Sequence, residues 1–498
     1  MNPVEMSGQF LLAKAESPVL AGWPKRQLGQ WILHQHPHLP VSDVRSQDGT
    51  QMAWIIGLAV DAEGRVLPPV WHLPFDCEAA DSAIRFEAEL DRLAGRFAAV
   101  FLTPRIQRFY LDASGSLAAV YCQERQAVAS SCNLIPQIAG LQKNFDLIKS
   151  LGIPFCDSYF PFGLTPWSAI TRLLPNHFLD ISNWTAQRHW PKGNWTDSVE
   201  PLEKMVEQIA ALTEAYIRGV ANLAPLQVPL TAGYDSRMLL ACLGSSLPDI
   251  RFYTDAIPDF TARVDCAYGR RIAKRFGLKH SVRTWQDSTR EEIENWLNRT
   301  GACVTDRITR STRTDRQSDP TRITVLAVGG EACRRPYWEP SDRTARHLST
   351  DGLLERFDFP VVDAMVREAS DWLNGLPAAN VVQILDLFYL EQRLGCWAGP
   401  SMYGPVGPRF LAYGFNSRQI YEKMLSLPLD YRSEERLPID LIRLKWPELL
   451  EFPFNEPLGL LKLERQARRC LAVAKRMTGK LGAGGIKPVP VAAAHHSA

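Results

Sequence analysis

The first part of the chain is a series of short apolar runs separated by turn residues. These runs occupy residues 52–60, 96–104, 107–122 and 127–131. Apolar and polar positions alternate within them, and Asp, Ser and Gly mark the turns between them, which is typical of paired β-strands. The pattern predicts antiparallel sheets in a first domain that ends at about residue 195.

One segment among these runs has a different period. Apolar residues recur near helical spacing in residues 81–95, and Gly95 closes the segment in the manner of a helix C-cap. A helix here makes the first domain an α+β domain, covering residues 1–195.

The pattern changes at Asp197. Residues 197–220 form one long amphipathic helix, with acidic residues early and Gly219 late. Strand and helix patterns then alternate at 226–230, 236–243, 250–254, 263–276 and 280–285. This alternation predicts a parallel, doubly wound sheet in a second domain over residues 196–480. Later residues of that domain are mostly helical in pattern, and the low-complexity residues 481–498 predict a disordered tail.

The composition and charge of the chain argue against several classes of function. The chain has 498 residues, a formal net charge of +2 and a pI near 8.0, so no strong field favours nucleic acid as a partner. Its ten cysteines include no CxxC pair, which argues against a zinc site or a disulfide framework and favours a reducing cytoplasm. No apolar segment approaches the ~20 residues that span a bilayer, so we expect no membrane association.

The candidate chemistry lies in "LTAGYDSR", residues 230–237, where the first strand of the parallel sheet meets a helix. Ligands bind at such carboxyl ends, because helix N–H groups and the helix dipole attract anions there. Ala232 and Gly233 leave the backbone open to a phosphate, Ser236 can donate a hydrogen bond, and Asp235 can hold Mg²⁺. Arg237 opposes the dipole unless an anion lies beside it. A tight turn with Asp235 as an ordinary N-cap explains the same residues, and the local sequence leaves both interpretations open.

Several stretches together resemble the asparagine synthetase family. "LTAGYDSR" is similar to its pyrophosphate loop S-G-G-x-D-S, with Thr231 at the Ser position and Ala232 at the first Gly. Residues 265–280 are similar to the helix that follows, and "AVGGEACRRPYW" stands where the family has a second phosphate-side loop. Residues 95–122 and 164–191 are similar to parts of its glutaminase domain.

The resemblance implies an Ntn-hydrolase-like sandwich of antiparallel sheets followed by a PP-loop domain of the adenine nucleotide alpha hydrolase type. Such enzymes use ATP and Mg²⁺ to convert a carboxylate into an acyl-adenylate, release pyrophosphate, and let an amine or ammonia attack. It implies that Asp235 is the metal ligand and that the nucleotide is bound by Leu230, Thr231, Ala232, Gly233, Tyr234, Asp235, Ser236, Arg237, Gly329, Gly330 and Glu331.

The chain departs from the family at three points. Asn2 stands where the family's glutaminase has its nucleophilic Cys, so we expect no glutaminase activity and a free amine or ammonia as nucleophile. The second loop lacks the family's metal-binding Asp, for which Glu331, or Arg334 with Arg335, are candidates. The family's phosphate-contacting Lys falls at Ile439, which leaves Lys445 or Arg443.

Three further features are candidates for function. In the β-lactam-forming branch of the family a Tyr and a Glu cooperate as the base, so Tyr389 with Glu391 is the candidate pair; a structural helix packed through its apolar residues is the alternative. Residues 306–322, rich in Arg, Asp, Ser and Thr, form a candidate mobile lid over an anionic substrate. Residues 460–480 form a basic amphipathic helix, either a docking face or a packed terminal helix.

The sequence therefore predicts a cytoplasmic ATP-dependent carbon–nitrogen ligase acting on a small-molecule or peptide carboxylate. Two alternatives stay open. One is a specialised amide- or ring-forming synthetase, such as a β-lactam synthetase or peptide cyclase; the other is a catalytically inactive protein that works by binding. The sequence also leaves a homodimer open.

Overall fold

A computed structural model describes residues 6–17, 20, 22–193, 195–244, 249–306, 309, 312–378, 380–405 and 410–468. The predicted tail at 481–498 lies outside these residues, as does the second half of the basic helix predicted at 460–480. Among the described residues, no helix combines the length and the apolar character needed to cross a bilayer.

The N-terminal part consists mainly of strands. They are β1 (Phe10–Ala13), β2 (Lys25–Leu28), β3 (Trp31–Gln35), β4 (Val41–Arg45), β5 (Gln51–Val60), β6 (Val70–His72), β7 (Ala94–Leu102), β8 (Gln107–Leu111), β9 (Val120–Cys122), β10 (Ala127–Ala129), β11 (Ser158–Tyr159), β12 (Thr171–Arg172), β13 (His177–Asp180) and β14 (Thr185–Arg188). Two helices accompany them, α1 (Ser82–Asp91) and α2 (Phe145–Leu151).

These strands form two sheets that face each other. One has the order β12-β9-β10-β1-β3-β2 and the other β14-β13-β8-β7-β5-β4-β6, with antiparallel pairing except between β4 and β6. Side chains such as Phe10 and Trp31 from the first sheet pack on Trp54 and Phe109 from the second. The predicted antiparallel sheets are thus confirmed.

The C-terminal part alternates helices with parallel strands. Its strands are β15 (Leu226–Pro229), β16 (Arg251–Ala256), β17 (His280–Thr284), β18 (Val304–Thr305), β19 (Ile323–Leu326) and β20 (Leu411–Tyr413). Its helices are α3 (Leu202–Ala221), α4 (Tyr234–Leu243), α5 (Phe260–Phe276), α6 (Arg290–Thr300), α7 (Thr312–Asp315), α8 (Thr350–Arg356), α9 (Asp363–Asn374), α10 (Val381–Phe388), α11 (Gly399–Ser401), α12 (Arg418–Leu425), α13 (Leu429–Ser433) and α14 (Arg436–Lys445). A π-helix, Tyr389–Ala398, continues α10.

Five of these strands form a parallel sheet in the order β17-β16-β15-β19-β20. The predicted parallel sheet is confirmed, and β15 is its central strand. Helices α4 and α5 end where expected, at Gly244 and Gly277, and Gly277 adopts the left-handed conformation of a C-cap.

Two glycines predicted near helix ends have other roles. Helix α1 ends at Asp91, and Gly95 lies in β7 with φ 137°, where a Cβ would come within 2.2 Å of the Leu58 carbonyl oxygen. Gly219 is an interior residue of α3, which continues to Ala221. Both positions need a residue without a side chain because another backbone segment lies against them.

The two parts share contacts across residue 195. Strand β11 pairs with β18 as a small antiparallel sheet. Val60 and Phe160 belong to the same buried cluster as Ile217 and Val220 of α3. The C-terminal part is therefore packed against the N-terminal part.

Candidate functional site

The loop between β15 and α4 lies at the carboxyl end of the central strand. Pro229 ends the strand, Gly233 has an extended conformation as the N-cap residue, and Tyr234 begins the helix. Helix α4 is buried along nearly its whole length. The position is the one at which open parallel sheets bind ligands.

The backbone N–H groups of this loop bind oxygen atoms of the protein itself. The Thr231 N–H donates to Ser236 Oγ at 3.3 Å, and the Gly233 N–H donates to Thr231 Oγ1 at 3.2 Å. The Ala232 N–H donates to Oδ1 of Asp265, a residue of α5, at 2.8 Å. A carboxylate thus lies where a phosphate oxygen would accept the same hydrogen bond, so the loop has the chemistry of an anion site.

Asp235 forms a buried ion pair with Arg334. The aspartate is 0% exposed, and Nη2 of Arg334 donates to its Oδ2 at 2.6 Å. Because Asp235 lies in the first turn of α4, the helix dipole also stabilises its negative charge. Breaking such a pair from one side costs about 3–5 kcal/mol.

The second loop, after β19, lies directly against the first. A Cβ on Gly330 would come within 2.8 Å of Asp235 Oδ1, so only glycine allows this approach. Gly329 adopts φ 95°, in the left-handed region, and a Cβ there would come within 2.5 Å of the Tyr421 hydroxyl. The two loops that the sequence analysis singled out therefore meet at one point.

Glu331 is the second acid of the site. Burial, together with the negative charge of Asp235, raises the pKa of Glu331 to about 7. The Tyr389 side chain hydrogen-bonds to Glu331. Tyr389 itself is 2% exposed, and burial followed by the charge of Glu331 raises its pKa well above the ordinary value. A carboxyl group that titrates near neutral pH thus lies beside a neutral phenol.

Main-chain carbonyl groups and an aromatic ring contact the Arg237 guanidinium. Its Nη2 donates to the Ala232 carbonyl at 2.7 Å and to the Pro453 carbonyl at 3.1 Å, and its guanidinium stacks on the Phe454 ring at 3.6 Å. Burial lowers the pKa of Arg237 to about 9. Carbonyl oxygens and an aromatic ring satisfy the side chain, and the expectation that an anion offsets its position near the helix dipole stays a prediction.

Glu391 faces away from Tyr389. Its carboxylate accepts hydrogen bonds from Asn176 at 2.8 Å, from Trp372 at 2.7 Å and from both Nη atoms of Arg188. Burial disfavours its charge, but the charge and hydrogen bond of Arg188 outweigh this effect, and the pKa of Glu391 lies below its ordinary value. The candidate pair of Tyr389 with Glu391 is therefore not formed, because π-helix geometry directs the two side chains to different neighbours.

Lys445 also lies away from the loop. Its Nζ forms an ion pair with Glu214 of α3 at 2.5 Å, in the last turn of α14. Arg443, the other candidate, pairs with Asp440 of its own helix. Neither takes part in the cluster around Asp235.

The described part of residues 306–322 packs on neighbouring elements. Arg313 and Arg316 form ion pairs with Glu292 of α6. Ser318 accepts a hydrogen bond from Arg283 of β17. Residues 307–308 and 310–311 lie outside the described part, and the lid hypothesis stays a prediction.

Sequence reasoning missed two residues of the site. Asp265 was noted only as part of a helix, although an acid one turn inside the helix after the adjacent strand is a signal that it can reach the loop. Phe454 stacks on Tyr234 with ring centroids 4.2 Å apart and also covers Arg237. Phe454 is more than 200 residues away in the chain, and no local pattern predicts this contact.

Within the described residues, no cluster of three or more His, Cys, Asp or Glu side chains is arranged to hold a metal ion. Comparison with known proteins adds no assignment: no protein-family model matches the chain, and no curated protein matches it.

Proposed function

We propose that the chain is an ATP-dependent ligase of the asparagine synthetase type that adenylates a carboxylate and forms an amide with an amine or ammonia. It works without a glutaminase of its own, since Asn2 offers no thiol. The substrate is a small-molecule or peptide carboxylate.

One observation carries this proposal. Asp235 lies in the first turn of a buried helix at the carboxyl end of the central parallel strand, and there it meets Glu331 and Arg334 from the loop after the neighbouring strand. Two acids and a guanidinium at a helix N-terminus are the groups that a divalent ion and a polyphosphate need.

Mg²⁺ fits this donor set. It is commonly held by one or two carboxylates together with substrate phosphates, so three protein ligands are not required. Asp235 would hold it, and the ion would neutralise charge that develops on the phosphates. Arg334 pairs with Asp235 Oδ2, and phosphates bound beside the ion would offer the guanidinium an alternative partner.

The remaining residues have distinct roles in the proposal. The loop N–H groups exchange the oxygens of Asp265 and Ser236 for phosphate oxygens. Arg334 stabilises the pyrophosphate charge as the acyl-adenylate forms. Glu331, with its pKa near 7 and its hydrogen bond from Tyr389, accepts the proton of the attacking amine. In this proposal Glu331, rather than the candidate Glu391, is the acid that cooperates with Tyr389.

A second candidate function is a protein of the same fold that binds partners without catalysis. The observation that favours this candidate is that the side chains of the loop are already paired within the protein. Asp235 is fully buried in its pair with Arg334, and Tyr234 and Phe454 stack beside it. A loop that is held in place by side chains of the protein does not need a nucleotide to keep its conformation.

Binding of Mg·ATP separates the two candidates. We expect calorimetry to detect Mg²⁺-dependent ATP binding to the wild-type chain, weakened at least tenfold in Asp235→Asn because one metal ligand is lost, which corresponds to about 1.4 kcal/mol. A panel of carboxylates should then support exchange of labelled pyrophosphate into ATP.

Asp351→Asn is the matched control, because Asp351 is also an acid in the first turn of a helix, α8, but is exposed and takes part in none of the loop contacts described above. It should bind Mg·ATP like the wild type. Absence of ATP binding in the wild-type chain, or equal binding by Asp235→Asn, would contradict the ligase proposal and leave the binding protein.

A further inference from the structure

Two cysteines from the two parts of the molecule lie in contact. Cys132 follows β10, and Cys303 lies between α6 and β18. Their Sγ atoms are 3.7 Å apart, and both residues are 0% exposed. A sequence search for CxxC pairs cannot find this pair, because 171 positions separate the two residues.

The backbone segments that carry the two cysteines are already in contact. A Cβ on Gly301 would come within 2.9 Å of the Cys132 backbone nitrogen, so glycine permits the close approach. Asn133 Nδ2 donates to the Asn298 carbonyl at 2.7 Å, and Gln9 Nε2 donates to the Arg299 carbonyl at 3.1 Å. Side-chain rotation, rather than movement of whole elements, can therefore bring the sulfur atoms together.

A guanidinium lies beside the thiols. Arg172 of β12 is 2% exposed, and its Nε and Nη1 have no hydrogen-bond partner among the described residues. Its titratable neighbours include the thiols of Cys303, Cys396 and Cys132. A hydrogen bond from Cys132 and the charge of Arg172 lower the pKa of Cys303 despite burial. An adjacent arginine favours the thiolate, which is the reactive form of cysteine.

We propose that Cys132 and Cys303 form a reversible disulfide that joins the N-terminal sheets to the parallel-sheet part. With hydrogen peroxide as oxidant, the Cys303 thiolate attacks a peroxide oxygen and becomes a sulfenic acid, releasing hydroxide that takes up a proton to form water. The Cys132 sulfur then attacks the Cys303 sulfur, water leaves, and the disulfide forms. Two thiols are oxidised and one peroxide is reduced to two waters. The sulfur atoms approach from 3.7 Å to about 2.05 Å.

The disulfide between Cys132 and Cys303 restrains the chain just before residues 306–322. Cys303 precedes β18, which pairs with β11 of the N-terminal part, and the chain then leads through these residues to β19 and the Arg334 loop. The oxidised protein therefore holds one end of this segment covalently. This inference does not depend on the proposed ligase activity.

Peptide mapping tests the bond in the full chain. The protein is treated with hydrogen peroxide, denatured in an alkylating agent and digested with trypsin. The peptides that carry Cys132, residues 126–143, and Cys303, residues 300–307, contain one cysteine each. We expect the two peptides to be recovered as one disulfide-linked species, with a mass two hydrogens below the sum of the two peptides. Reduction should separate them. The exposed Cys156 reports that the oxidant has acted. Recovery of both peptides alkylated after Cys156 is oxidised would overturn the proposal.

Thermal unfolding supplies a second measurement. The midpoint of the oxidised wild type should rise by several degrees over the reduced protein, because the cross-link restricts the unfolded chain. Cys132→Ala and Cys303→Ala should lose this redox-dependent difference, whatever their midpoints when reduced. Cys77→Ala is the matched control, since Cys77 is buried in a different cluster, and it should keep the difference. An equal difference in Cys303→Ala would contradict the assignment.

Discussion

At the scale of single residues, hydrogen-bond partners decide the roles of the acids near the site. Glu391 is a residue of the π-helix, and Glu331 lies beside Tyr389, the first residue of that helix. The pKa values of the two acids are nevertheless shifted in opposite directions. Arg188 and other donors lower that of Glu391, whereas burial and Asp235 raise that of Glu331. Glu391 was the candidate because the resemblance implies a Tyr that cooperates with a Glu, and such a resemblance does not show which carboxylate a phenol faces.

Glu391→Gln should therefore destabilise the fold rather than act on chemistry alone. The substitution leaves the guanidinium of Arg188 buried without its charge partner, which costs about 3–5 kcal/mol. Urea unfolding followed by tryptophan fluorescence measures the loss. Glu294→Gln is the control, because Glu294 forms an exposed pair with Arg290, and we expect a change of at most about 0.5 kcal/mol there. A similar small change in Glu391→Gln would show that the bridge is not structural.

At the scale of elements, local patterns predicted most of the parallel sheet. Strands β15, β16 and β17 and helices α4 and α5 follow from periodicity and glycine stops, since each is defined by residues close in sequence. Strands β19 and β20 were missed because they have only four and three residues, Ile323–Leu326 and Leu411–Tyr413, in a region of mostly helical pattern. The contact of the Gly330 loop with the Asp235 loop depends on the adjacency of β15 and β19, which periodicity does not encode.

Gly330→Ala tests that contact. The new methyl group would lie 2.8 Å from Asp235 Oδ1 and 3.1 Å from Met238 Cε. Met238 can adjust, but Asp235 is held by Arg334, so we expect a loss of about 1–3 kcal/mol in the free energy of unfolding. Chemical denaturation provides the measurement. Gly22→Ala, where a Cβ meets nothing within 4 Å and φ is not positive, should change stability by no more than about 0.5 kcal/mol. Equal effects would mean that the loops can separate freely.

At the scale of the whole molecule, the change of pattern at Asp197 correctly located where strands give way to alternating helices and strands. It did not predict how the two parts meet. Gly219 of α3 lies against the turn after β5, where Gly64 has φ 82° and a Cβ on Gly64 would come within 2.5 Å of the Ala215 carbonyl oxygen. A glycine late in a helix pattern has the same signature whether it ends the helix or admits another backbone, so sequence alone could not choose.

Gly219→Ala places these two explanations in direct conflict. Alanine is favoured over glycine within a helix by about 1 kcal/mol, so an unconstrained α3 would become more stable. The added methyl group, however, would lie 2.5 Å from Val60 Cγ1 and 2.8 Å from the Gly64 carbonyl oxygen. Since a backbone carbonyl cannot rotate away, we expect a net loss of about 1–3 kcal/mol and a lower thermal midpoint. Gly375→Ala is the control, because this C-cap residue of α9 has φ −83° and its nearest neighbour would be at 3.4 Å, and it should be neutral or stabilising. If both substitutions raise the midpoint, α3 does not pack on the turn as described, and the joint between the two parts must be looser than these contacts require.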